Sequence, residues 1–131
     1  MKYKDTDVDE WPASWAVLPE DVRYGKQILP YMREFIESLK RKDLTVKTVN
    51  SHIDALWALG GKIIDAVNDE EKNRAKEPVK LLLEMIDEEG GPLMDCSEDQ
   101  AAFDRTCKKF YRFLQDAFLK PARNSKHNAL Y

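Results

Sequence analysis

Between Val46 and Val67 the residues Val46, Val49, Ile53, Leu56, Gly60, Ile63 and Val67 follow one another at steps of three and four. Such a stripe runs down one side of an α-helix, whereas a half-buried strand would alternate at every second residue. Thr45 stands just before the stripe as an N-cap, so the pattern predicts a core helix from there to about Asn68. Gly60 and Gly61 interrupt it chemically, each costing about 1 kcal/mol relative to Ala inside a helix. Gly60 lies on the stripe itself, which points to a close approach by another backbone at that turn. A helix break at the two glycines is the alternative.

The remaining segments read as further helices. Leu18-Pro19-Glu20-Asp21 has Pro in a first turn and acids near the positive end of the macrodipole, so a helix begins there. Pro30 lacks the amide that would bond Lys26 and is expected to kink or break that helix close to Leu29. Beyond it Met32, Phe35, Ile36 and Leu39 mark one face before the basic run Lys40-Arg41-Lys42. Pro78 opens another helix, with Val79, Leu82, Leu83 and Ile86 on its buried side and Gly90-Gly91-Pro92 as its stop. Ser97 and Gln100 have capping-box spacing ahead of a face made by Phe103, Cys107, Phe110, Leu114, Ala117 and Phe118, and Pro121 ends that helix. No stretch of strand length alternates at period two. The expected fold is all-α: one compact bundle of four to five helices over residues 18–120, an irregular arm over 1–17 that docks Trp11 and Trp15, and a mobile tail over 121–131.

The chain has 131 residues, 43% of them hydrophobic and 34% charged, which suits a single domain with one core. A mean hydropathy of −0.61 leaves no run for a membrane span. The acidic opening MKYKDTDVDE resembles neither a secretory signal nor a transit peptide, so the expected address is cytoplasmic. Two cysteines, Cys96 and Cys107, make no disulfide framework and have no metal-binding spacing.

Enzymatic readings mostly fail on inventory. His52 and His127 are the only side chains that titrate near neutrality without help, and neither lies in a nucleophile or metal signature. His52 reads as a boundary residue with a local hydrogen bond, and Cys107, between Phe103 and Phe110, as a small core residue. Asp5, Asp7 and Asp9 imitate the start of an EF-hand loop, but Glu10 stands where that loop needs Gly and Ala16 where it needs Glu. No catalytic constellation, metal site or cofactor is expected.

The net charge of −3 provides no global cationic field, so any nucleic-acid contact has to come from a local patch. The positive charge gathers at residues 21–43, which carry +2, and in the tail 121–131, which carries another +2. Residues 30–64, PYMREFIESLKRKDLTVKTVNSHIDALWALGGKII, resemble the helix, basic turn and helix that begin the core-binding domain of tyrosine recombinases and phage integrases; the phrase Leu44-Thr45-Val46-Lys47-Thr48-Val49 carries the likeness. That resemblance implies a helical clamp on DNA, with contacts from the basic turn and the helix start. Lys40, Arg41, Lys42 and Lys47 can neutralise phosphates there, and Thr45, Thr48 and Asn50 can hydrogen-bond them. Lys108, Lys109 and Arg112 form a secondary basic patch on the last helix. No HxxR motif follows His52 or His127, so strand cleavage by Tyr131 is not implied. The segments LWALGGKIID and GGPLMD resemble those of small uncharacterised bacterial proteins. Two functions follow as expectations: a non-catalytic nucleic-acid-binding module, or a protein-interaction adaptor or homodimer using exposed apolar surface from Trp11, Trp15, the Gly90–Met94 loop or a helix face.

Overall fold

The computed structural model describes residues 2–94 and 97–119. A 3-10 turn at Val8–Glu10 leads into α1 (Trp11–Trp15), followed by α2 (Pro19–Lys40), α3 (Val46–Asp69), α4 (Glu71–Arg74), α5 (Pro78–Met85) and α6 (Ser97–Leu114), with a π-helical turn at Gln115–Leu119. The fold is the expected all-α bundle. Among the described residues there is no strand, only an isolated bridge between Asp87 and Gly90, and no helix is long and apolar enough to cross a membrane. The tail 121–131, with His127 and Tyr131, lies outside the described residues, as do Cys96 and the Ser97 side chain.

Helix α3 is the central element, touching α1, α2, α4, α5 and α6. Its stripe is buried from Val49 to Val67, and Leu59 and Ile64 are buried beside it, which widens the apolar face to serve several neighbours. Thr45 is the N-cap, its Oγ1 accepting the Thr48 amide at 3.1 Å. The helix runs unbroken through Gly60 and Gly61. A Cβ on Gly60 would stand 2.0 Å from Cζ2 of Trp15, so the glycine makes room for an indole ring rather than for another backbone.

That indole belongs to the arm, which is ordered rather than irregular. Trp15 is wedged between α2 and α3 with only 7% of its surface exposed, and its Nε1 donates to the carbonyl of Trp57 at 2.9 Å. In return the Trp57 Nε1 donates to the Ser14 hydroxyl at 3.0 Å. On the other side, Pro12 lies against Gly25 of α2, where a Cβ would meet its Cβ at 3.0 Å. Ahead of α1, the Lys4 amide donates to Asn50 Oδ1 at 2.8 Å and Asn50 Nδ2 donates to the Lys2 carbonyl at 2.9 Å. The arm is therefore held both by apolar wedges and by main-chain hydrogen bonds.

Pro30 lies inside α2 and does not break it. Lys26 and Pro30 both face solvent, where water can bond the carbonyl that proline leaves without an amide, while Ile28, Leu29 and Met32 hold the core face together. At the start of α2 the Asp21 carboxylate accepts the Val17 and Leu18 amides at 2.9 and 2.8 Å. Helix α5 buries Leu81 with Leu82, leaves Val79 and Leu83 half-buried, and ends at Met85 rather than at the glycines. Ile86 then turns extended with its side chain in the core, and the Asp87 carboxylate accepts the Glu89 and Gly90 amides to close a tight turn. Gly90 takes a φ of +141°, and a Cβ there would meet Asp104 Oδ1 of α6 at 2.3 Å. Gln100 ties the following loop to α6 by accepting the Met94 amide at 2.6 Å and donating to the Pro92 carbonyl at 3.2 Å. Phe103, Cys107, Phe110 and Leu114 are buried as the spacing requires, whereas Phe118 is 40% exposed and rests edge-on against Tyr31.

Candidate nucleic-acid interface

The cations singled out in the sequence divide into two groups once the helices pack. Lys40 is turned inward: its ammonium pairs with Asp5 and with Glu37 at 3.1 Å and lies 4.8 Å above the Tyr3 ring. Those acids hold its pKa above the usual lysine value, the Asp5 hydrogen bond being the largest cause. Asn50 is 6% exposed and spends its amide on the backbone of Lys2 and Lys4. Both side chains hold the arm in place. Thr45 and Thr48 are exposed, but the Thr45 hydroxyl donates to Thr48 Oγ1 at 2.9 Å while accepting the Thr48 amide. These hydroxyls cap the helix, and the first amides of α3 remain beside them without intrahelical partners.

Arg41, Lys42 and Lys47 are exposed, and none forms an ion pair with another described residue. The same is true of Arg105, Lys108, Lys109 and Arg112 on α6, of which only Lys108 is half-buried. On a helix, residues three, four and seven apart share a side, so these four bases form one cationic face. It lies across the helix from the apolar face of Phe103, Cys107, Phe110 and Leu114.

One cation of the turn and two of α6 lie near His52. Its Nδ1 lies 2.6 Å from Thr106 Oγ1, which fixes α3 against the middle of α6. Burial lowers the His52 pKa, and the nearby charges of Lys109, Arg105 and Lys42 lower it further. The turn after α2 and the exposed side of α6 thus bring three cations around one buried imidazole. Asp43 is the exposed acid within this turn. Sequence reasoning overlooks Arg105, although its spacing to Lys108, Lys109 and Arg112 is that of a helical face. That Lys42 of the turn and Arg105 and Lys109 of α6 all act on His52 has no sequence signal, because it depends on how α3 packs on α6.

The side chains that could carry other chemistry serve the fold. Cys107 is buried, and burial, with Asp104 and Asp87 nearby, pushes its thiol up to about 12. Asp5 pairs with Lys40, Asp9 pairs with Arg33, and Asp7 stands at the start of the 3-10 turn, so the three acids of the apparent calcium motif diverge. Among the described residues, no group of three His, Cys, Asp or Glu side chains is placed to hold a metal ion.

Comparison of the chain with protein-family models, with curated proteins and with solved structures gives no match.

Proposed function

We propose that this protein is a non-catalytic helical module that binds nucleic acid through phosphate contacts, in the manner implied by the resemblance of residues 30–64 to integrase core-binding domains. The observation that carries the reading is a set of exposed cations on two separate elements, without internal ion pairs, of which Lys42, Arg105 and Lys109 lie near His52. Arg41, Lys42 and Lys47 supply charge from the turn and the start of α3, and Arg105, Lys109 and Arg112 supply it from α6. Unpaired surface cations cost little to bring to a polyanion, since no internal ion pair has to be broken first, and they release counterions on binding. Lys40 and Asn50 contribute indirectly, by fixing the arm.

Fluorescence anisotropy with a labelled DNA duplex at about 50 mM salt tests the reading. Association that weakens steeply as salt rises is the expected result. No association at low salt would overturn it.

A second reading, a protein-interaction adaptor or homodimer, is favoured by Leu93 and Val17, which are 84% and 72% exposed, whereas Trp11 and Trp15, expected to offer apolar surface, are buried in the core. Light scattering after size exclusion separates the homodimer from a monomer: a dimer lost on Leu93→Ser supports self-association.

A further inference from the structure

A cleft of about 800 Å³ opens where the N-terminal arm, α1, α3 and α6 meet, and none of the cations of the proposed interface lines it. This size falls within the range of small-molecule sites. Its floor is apolar, built from the buried side chains of Trp11, Ile53 and Phe103. One wall is Trp57, whose ring is 47% exposed yet held in place, its Nε1 bonded to Ser14 and its carbonyl to Trp15. A large aromatic face kept at a fixed angle and left half in water is a ready surface for an apolar or cationic group.

The rim supplies the charge. Asp7, Asp54 and Asp99 line the cleft against one cation, Lys4. The Lys4 ammonium is 3.2 Å from Asp54, while Asp7 and Asp99 form no ion pair with any described residue. Two uncompensated carboxylates beside an aromatic wall favour a positive ligand, repel a negative one and give a neutral one only the apolar floor.

We propose that this cleft binds a small organic cation, an ammonium or guanidinium carried on a flat apolar body, with the body on Trp11, Trp57 and Phe103 and the charge between Asp7 and Asp99. The site is independent of the nucleic-acid interface, since none of its lining residues belongs to that cationic set.

The test titrates the full chain with tryptamine, neutral indole and indole-3-acetate, following the Trp57 indole N–H and the methyl signals of Ile53, Ala55 and Ala58 by NMR. Saturable shifts in these signals with tryptamine, and binding at least about tenfold weaker for indole-3-acetate, are expected. In a chain carrying Asp7→Asn and Asp99→Asn, tryptamine should lose about tenfold in affinity while indole is unchanged. Both aspartates are exposed, so the double variant is expected to keep the fold. Failure of tryptamine to bind, equal binding of cation and anion, or an affinity indifferent to the two aspartates would each overturn the assignment. So would a Lys-Trp-Lys peptide binding about tenfold more tightly than tryptamine, which would make the occupant a peptide.

Discussion

Asp21 has no exposed surface, yet it faces four donors. The Val17 and Leu18 amides and the Asn68 side-chain amide donate to its Oδ2, and the Arg74 guanidinium forms an ion pair with Oδ1 at 2.9 Å. Burial acts to raise its pKa, but these hydrogen bonds outweigh it and hold the value down to about 2, against 3.8 for the free side chain. A carboxyl group whose pKa falls on folding stabilises the fold above its unfolded pKa and loses that contribution as pH falls toward the folded value. The difference corresponds to about 2 kcal/mol. Asp21→Asn should therefore destabilise the protein by about that amount at neutral pH, and urea unfolding between pH 5 and pH 2 should show a shallower loss of stability than in the parent. His52 has the same sign: its lowered pKa means the unfolded chain binds the extra proton first, so stability declines as pH drops below about 6.5. Proton NMR should find the His52 ring titrating below that value, and a titration above it would refute the burial argument.

At the scale of the element, the two adjacent glycines of α3 give opposite expectations. Gly60 faces Trp15 at a distance no Cβ can tolerate, whereas a Cβ on Gly61 would make an ordinary contact 3.8 Å from Cδ1 of the same ring. Gly60→Ala should expel the indole and cost about 2 kcal/mol despite the better helix propensity. Gly61→Ala should add up to about 1 kcal/mol, because it gains the propensity without a clash. Thermal unfolding of the two variants would show the opposite shifts. Pro30 offers a second case, since it sits in the exposed interior of a continuous helix. Pro30→Ala restores an amide for the Lys26 carbonyl, and calorimetry should register a gain of about 2 kcal/mol.

For the molecule as a whole, charge is sorted by packing. A chain with net charge −3 presents unpaired bases on the turn after α2 and along α6 and, elsewhere, a cleft rimmed mostly by acids. Lys42 and Lys109 are distant in sequence, yet both act on the one imidazole between α3 and α6. Charge reversal at both, Lys42→Glu with Lys109→Glu, should leave the melting temperature nearly unchanged, because both are exposed and neither is in an ion pair. Duplex binding should fall sharply, and the slope of log K against log salt should shrink by about 1 for each phosphate that is no longer neutralised. Reversal at Lys72, which already pairs with Glu70 at 3.2 Å, is the matched control and should change binding little.

The course of α3 was legible from residue order alone. A stripe at steps of three and four, a threonine cap and apolar faces on the flanking segments permit helices and exclude sheet, because side-chain period is a local property of the backbone. The burial of Cys107 was legible in the same way, whereas Trp11 and Trp15 read both as docked and as exposed apolar surface, and packing buried them. Packing decided what local rules could not reach. Pro30 reads as a kink or a break, and the break is absent because the buried residues on either side of it hold the helix together. Gly60 reads as a backbone crossing, but the space is taken by an indole from the distant N-terminal arm. Lys40 reads as a free cation, but Asp5 of the arm neutralises it, while Lys42, on the same turn, remains exposed. Which side chain meets which across the bundle depends on how finished helices rotate and slide against one another, and that contact energy is absent until the chain has closed on itself.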